Sequence, residues 1–198
     1  MRIATLPITP LQRDRAIDND TLVRRIEEGD FFAMEVLYHR FAPKIAGILA
    51  KLLKNSADID DAMQETFIEA HRDIAKLNEP KYLERWLVRI AIHRAHHHFR
   101  KRRLKRLLGL DRSIDDEPLH LQAKVNASQE ALTELVLLDR AFDAMSLSER
   151  TCFLLRHLEG YQLKEVAHAT NNSVATVKRR IASAMRIIEQ HFEEAHHD

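Results

Sequence analysis

Between positions 59 and 77 the apolar residues Ile59, Met63, Phe67, Ala70, Ile74 and Leu77 recur at spacings of three and four. That spacing lines one face of an α-helix and no single face of a strand. The same period returns along most of the chain. Leu22, Val23 and Ile26 follow a cap at Asp20-Thr21, and Gly29-Asp30 breaks that segment. From about Phe31, the residues Phe32, Val36, Leu37 and Phe41 share a stripe. Pro43 interrupts or restarts the helix ahead of Ile45, Ile48, Leu49, Leu52 and Leu53. Asn78-Glu79-Pro80 reads as a turn into a long helix with Leu83, Leu87, Ile90 and Ala91 facing inward. Its continuation, positions 96–103, is too polar all round to be core. With four Gly and five Pro in 198 residues and no pattern that supports a strand, the fold is expected to be all-α.

The period fails over 107–127, where Gly109, Pro118 and Asp115-Asp116-Glu117 indicate a flexible acidic linker. Two helical domains are therefore expected, 19–106 and 128–192, with tails at 1–18 and 193–198. The second begins with Leu132, Leu135, Val136 and Leu138. Ser146-Leu147-Ser148-Glu149 then opens a helix that Gly160-Tyr161 closes. Leu163, Val166 and Ala167 lie on a short helix, Asn171-Asn172-Ser173 is a turn, and 174–192 a final long helix. The single cysteine, Cys152, lies in the apolar run Cys152-Phe153-Leu154-Leu155 and is expected in the core, with no disulfide framework. The N-terminal segment lacks a signal-peptide pattern, and no apolar run is long enough to span a bilayer. A cytoplasmic chain with no membrane insertion is expected.

Net charge is only +1, but its distribution is uneven. Positions 81–106 hold ten Lys and Arg against Glu84 alone, and positions 58–73 hold six acidic residues against Arg72 alone. Segregation of this kind presents different faces to different partners.

Three constellations follow. The helix–turn–helix at the C-terminal end faces Val174, Val177, Ile181, Ala184 and Ile188 inward. It leaves Ser173, Thr176, Lys178, Arg179, Arg180, Ser183 and Arg186 for the major groove and its phosphates. A helical hairpin with a solvated basic face is the plainer alternative. Next, Tyr82 and Trp86 stand among Arg85, Arg89, His93, Arg94 and His97, and basic groups with aromatic rings suit melted DNA. Trp86 fits a core position equally well, and Tyr82 is the better stacking residue. Finally, Asp61, Gln64, Glu65 and Ile68 form a polar patch with an apolar residue among acids. This suits protein docking better than acid–base chemistry, so no catalytic residue is expected.

The order of parts resembles bacterial sigma factors. The stretch Asp60-Asp61-Ala62-Met63-Gln64-Glu65-Thr66-Phe67-Ile68-Glu69-Ala70 is similar to their core-binding region 2.2. Arg85-Trp86-Leu87-Val88-Arg89-Ile90-Ala91-Ile92-His93-Arg94-Ala95 is similar to region 2.3 to 2.4. Leu147-Ser148-Glu149-Arg150, Glu159-Gly160-Tyr161 and Val174-Ala175-Thr176-Val177-Lys178-Arg179-Arg180-Ile181 resemble region 4. With no recognisable region 3, the chain resembles the extracytoplasmic-function (ECF) group of the sigma-70 family.

The resemblance implies a sigma factor that directs core RNA polymerase to promoters. Asp61, Gln64, Glu65 and Ile68 would meet the clamp helices of the largest subunit, and the second domain would meet the beta flap. Tyr82, Arg85, Arg89, His93, Arg94 and His97 would act at a melted minus-ten element. Ser173, Thr176, Lys178, Arg179, Arg180 and Ser183 would act at a double-stranded minus-thirty-five element. An anti-sigma factor is an expected partner, and no cofactor is expected. Departures from the family pattern are His93 in place of a common Asn, Asn78-Glu79-Pro80-Lys81 in place of a Gly- and Ser-bearing loop, and Ala175 in place of a frequent Gly.

Among twelve histidines, His93 and His97 are one helical turn apart, as a metal pair would be. No third ligand is evident beyond crowded His96 or His98, and no metal is expected. Two rival functions remain: a stand-alone helix–turn–helix regulator, and a sigma-like adaptor without promoter activity.

Overall fold

The computed structural model describes residues 17–108 and 129–195. Side-chain caps set where the helices begin. Asp18, rather than Asp20-Thr21, accepts from the Thr21 amide at 2.8 Å and starts α1 (Asn19–Glu27). Gly29 turns the chain at φ +83°, and Asp30 then accepts from the Phe32 amide at 2.9 Å to start α2 (Phe31–Leu52). Pro43 does not divide α2. It cannot donate to the His39 carbonyl, but Phe41, Ile45, Ile48 and Leu49 are buried on both sides and hold the helix together. Phe32 does not belong to the inward stripe: with Phe31 it lies exposed on the first turn.

Asn55 caps α3 (Ser56–Asp73), which tightens into a 3-10 turn, Ile74–Lys76. Its inward face is the expected one. Phe67, Ala70 and Ile74 are buried, while Ile59, Met63 and Leu77 pack at the edge of the core. A second 3-10 turn, Pro80–Tyr82, leads into α4 (Leu83–Leu107). This helix is buried over most of its first half by Leu83, Trp86, Leu87, Val88, Ile90, Ala91, Ile92 and Ala95. It is the axis of the N-terminal bundle, packed against α2 and α3. Trp86, at 8% exposure, is core. His98 corrects the all-polar reading of the second half of α4, being only 4% exposed.

The C-terminal group holds α5 (Gln129–Ala144), α6 (Leu147–Phe153), α7 (Leu163–Ala169) and α8 (Val174–Ala195). Val136 is exposed on α5, which its apolar character alone did not foretell. Ser146 and Glu149 form a reciprocal capping box at the start of α6. The Glu149 amide donates to Ser146 Oγ at 3.3 Å, and the Ser146 amide donates to Glu149 Oε2 at 2.9 Å. Ser146→Ala is expected to destabilise the protein by about 1 kcal/mol in urea denaturation. A cost near zero would mean that the cap is not limiting. The helix runs on as a π-helical turn, Leu154–Leu158, and stops where Gly160 adopts φ +71°. Cys152 is fully buried, and burial pushes its thiol above the ordinary range, as suits a core residue.

The two groups of helices share one apolar cluster. Leu147, Cys152, Leu154, Leu155, Tyr161 and Val166 join the core of the N-terminal bundle. Ion pairs rim the seam: Lys44 with Glu159 at 3.3 Å, Lys54 with Asp143 at 2.6 Å, and Arg85 with Glu165. Most of the acidic segment expected as the linker, and both expected tails apart from Ile17, Asp18 and positions 193–195, lie outside the described residues.

Candidate nucleic-acid and docking interfaces

An α-helix advances about 100° per residue, so Arg85, Arg89 and His93 fall within about 80° of one another on α4. His96 lies on the same stripe. Arg85 reaches Tyr82, its guanidinium 5.8 Å from the ring centre, and Tyr82 remains 42% exposed. Lys81 covers the same ring at 4.8 Å and pairs with Glu79 at 2.5 Å. A basic stripe with an accessible aromatic at its head is thus present on one face of α4.

Arg94 and His97 lie elsewhere. Arg94 is about 180° from Arg85 around the helix. It points to α3, where it pairs with Glu69 and reaches Glu65 at 3.4 Å. His97 has turned towards Glu65 and His98. The six residues expected on one surface therefore divide: Tyr82, Arg85, Arg89 and His93 stay together, while Arg94 and His97 join the acidic helix. Sequence composition groups neighbours along the chain, whereas the helical period separates them.

On α3, Asp61, Gln64 and Ile68 are exposed and Glu65 is half-buried against Arg94. An apolar groove between α2 and α3 lies beside this patch, lined among others by Phe31, Met34, Tyr38, Met63 and Ile68. The exposed Phe31 belongs to this groove; the sequence reading used it only to start the helix, because a groove between two helices leaves no signal in the period of one of them.

The helix–turn–helix is formed by α7 and α8. Asn171 takes φ +52°, a left-handed conformation that Asn tolerates, and the Thr176 amide donates to Ser173 Oγ at 3.1 Å to cap α8. Val177 and Ala184 are buried and Val174 and Ile181 pack on the core, as their spacing requires. Lys178, Arg179 and Arg186 are exposed. Arg180 and Ser183 are half-buried and lean towards α6, Arg180 near the Cys152 thiol and Ser183 near Glu149. The open face of α8 thus carries Lys178 and Arg179, with Ser173 and Thr176 at its N-terminus.

Contacts between the two groups of helices were invisible in the sequence. The Arg85 guanidinium lies 5.7 Å from the Tyr161 ring, and Arg89 and His93 line a cleft with Ala167, His168, Asn171, Asn172 and Ser173. His96 Nε2 lies 3.0 Å from Thr151 Oγ1. Burial is the main reason that the His96 pKa falls to about 4. Arg100 and His93 on its own helix and Arg180 from α8 add to the shift.

The sign follows from proton linkage. His96 is neutral when folded and takes a proton when unfolded below about 6.5, so its stabilising contribution is present above that pH. The contribution is lost as pH falls towards 4. Acidification over that window is expected to cost up to about 3 kcal/mol, and His96→Gln to flatten the profile, as measured by urea denaturation across pH. An unchanged profile would remove this role.

Comparison with known proteins places both halves. The family model Sigma-70 region 2 matches residues 37–105, and the model Sigma-70, region 4 matches residues 135–188. An ECF RNA polymerase sigma-E factor of Haemophilus influenzae is 31% identical over 180 residues, covering 87% of this chain and 94% of that one. The RNA polymerase sigma-H factor of Pseudomonas aeruginosa is 26% identical over 176 residues, covering 85% and 91%. Among solved structures, CnrH in complex with the cytosolic domain of CnrY superposes with TM-score 0.61 at 21% identity, over 89% of this chain and 99% of that one. The sigma factor RpoE of Bartonella quintana, in complex with the anti-sigma factor NepR, gives 0.63 at 17% identity, over 80% and 96%. These two support the fold, and no helix among the described residues is long and apolar enough to cross a membrane. Matching models in the right order, and a relative alike over nearly its whole length, place this chain in the ECF group of the sigma-70 family of sigma factors.

Proposed function

We propose that this sigma factor divides its work among three surfaces. Asp61, Gln64, Glu65 and Ile68 on α3 dock on the clamp helices of the largest subunit of core RNA polymerase, and the C-terminal group meets the beta flap. Tyr82 and the stripe of Arg85, Arg89 and His93 engage the minus-ten element, with the ring stacking on a base of the melted strand. Ser173, Thr176, Lys178 and Arg179 enter the major groove at the minus-thirty-five element, with Arg180 and Ser183 joining them once released from α6.

The observation that carries this reading is the separation of charge between adjacent helices: acids and an exposed Ile on α3, bases and an exposed Tyr at the head of α4. A stand-alone regulator has no use for either face. The protein is not itself an enzyme, because phosphodiester chemistry and its magnesium belong to the polymerase. It works in the cytoplasm, and an anti-sigma factor of the kind seen with the neighbouring structures is its regulator.

Run-off transcription with purified core polymerase tests the whole. Promoter-dependent transcripts should appear only when the protein is added. Polymerase binding without transcripts from any genomic promoter fragment would favour the adaptor. Arg179→Ala should weaken binding to the minus-thirty-five element by about 1–3 kcal/mol if it reads a base. Equal loss on all sequences would reassign it to phosphate.

A further inference from the structure

Where α3 meets the second half of α4, a histidine is buried without a use. His98 is 4% exposed, and its Nε2 makes no hydrogen bond. A buried, unpaired ring nitrogen is costly unless something binds it. Glu65 Oε1 lies 3.4 Å away, while the other oxygen of that carboxylate is turned to Arg94, also at 3.4 Å. His97 supplies a second imidazole, and the donor atoms of Glu65, His97 and His98 all lie within 4.8 Å of one another.

These separations have a chemical meaning. Four-coordinate zinc has bonds of about 2.0–2.1 Å to nitrogen and oxygen, so neighbouring donors stand about 3.3–3.4 Å apart. The Glu65–His98 edge already has that length, and the donor of exposed His97, within 4.8 Å of both, is the one that would have to move closer. Behind His98, its Nδ1 faces Asp58 Oδ1 at 3.7 Å, close to the carboxylate–imidazole pairing that orients metal-bound histidines. Asp58 is itself held by Arg102 at 3.4 Å. The sequence pairing of His93 with His97 does not form: His97 is joined instead by its neighbour His98, and α3 supplies the third donor, Glu65.

We propose that Glu65, His97 and His98 bind a divalent transition-metal ion of the zinc type, with water in the fourth position. The consequence rests on the reading of Glu65 as a docking residue. An ion that takes Glu65 Oε1 withdraws it from the polymerase, so metal and polymerase compete.

The test titrates the full-length chain with Zn2+ against a chromophoric chelator, with Co2+ as the spectroscopic probe of coordination. One ion per chain is expected. Glu65→Gln, His97→Ala and His98→Gln should each lower affinity at least tenfold, and Asp58→Asn by about tenfold through orientation. Glu65 and His97 reach solvent, so their variants keep the test meaningful if His98→Gln fails to fold by circular dichroism. Unchanged affinity in Glu65→Gln and His97→Ala overturns the site. So does binding lost only in the control carrying His196→Gln and His197→Gln. That result would leave His98 as a bridge between Asp58 and Glu65.

Polymerase binding with and without Zn2+ is a separate measurement. A tenfold weakening by the ion that disappears in His97→Ala supports competition, and polymerase affinity indifferent to bound Zn2+ overturns it. Failure of the chain to bind polymerase at all would sink the docking reading while leaving the metal site standing.

Discussion

Asp61→Lys combined with Ile68→Glu is expected to abolish binding to core RNA polymerase, with a loss of about 3–5 kcal/mol, at least a hundredfold. Both side chains are exposed on α3, and Ile68 is 58% exposed although large and apolar. The bundle does not need it, which leaves a partner as the reason for its position. A Lys at 61 reverses the charge offered to a basic partner, and a Glu at 68 places an unpaired carboxylate in a contact from which water is excluded. The core behind them, Ala62, Thr66, Phe67 and Ala70, is untouched, so the circular-dichroism spectrum and unfolding midpoint should stay close to those of the parent. Binding of the C-terminal group to minus-thirty-five DNA should also persist, since α8 is not altered. Undiminished co-purification with polymerase would transfer docking to another surface. Loss of both polymerase and DNA binding would point to misfolding. Glu65 is left alone here because it also pairs with Arg94 and belongs to the proposed metal site, so its replacement would not report on docking alone.

Much of this was legible along the chain because helices are local objects. The inward faces of α3 and α8, the break at Gly29-Asp30, the capping box at Ser146 and the turn at Asn171 each depend on residues within four positions of one another. Side-chain period and cap chemistry therefore sufficed for them. Errors arose wherever the answer depended on a distant segment. Phe32 has core character but lies exposed on the first turn of α2, and Phe31 beside it lines a groove. Pro43 has the signature of a break, yet burial on either side of it outweighs one lost hydrogen bond. Arg94 and His97 sit in a basic segment and were grouped with it, although α3 supplies the carboxylates that draw them away. His98 illustrates the limit best. Its flanks are polar and charged, and only the packing of α3 against α4 buries it. The period of α4 does carry His98 onto the face of Leu87 and Ala91, within about 20° of each, but its polar type hid the fact.

The surfaces were better foreseen than their mutual arrangement, and that arrangement leads to the second large expectation. Glu159→Lys with Glu165→Lys should open the protein and strengthen its engagement with promoter DNA. In the packed structure Arg85, Arg89 and His93 face the C-terminal group across clefts shared with Tyr161, Glu165 and His168. On the proposed reading of that stripe, α7 stands beside Arg85, Arg89 and His93 and narrows their access to promoter DNA, so separating the two groups of helices would open it fully. Glu159 meets Lys44 at 3.3 Å and Glu165 meets Arg85, and both reversals turn attraction into repulsion.

Each partly exposed pair contributes up to about 1 kcal/mol, and each reversal adds a repulsion of similar size. Together they should shift the closed–open balance by roughly 2–4 kcal/mol, or about 30–1000-fold. The apolar seam through Leu154, Leu155 and Tyr161 opposes opening, which is why the charges rather than the core are the place to intervene. Small-angle scattering should register a larger radius of gyration, while helical content falls by no more than the loss of the α7 cap, in which the Gln162 amide donates to Glu165 at 2.8 Å. Binding to a pre-melted minus-ten fragment should tighten, and added salt should reproduce part of the effect in the parent by screening the same pairs. A variant that expands without gaining affinity would mean that the stripe beside α7 is not the minus-ten surface. One that neither expands nor gains affinity would mean that the apolar seam alone keeps the two groups together.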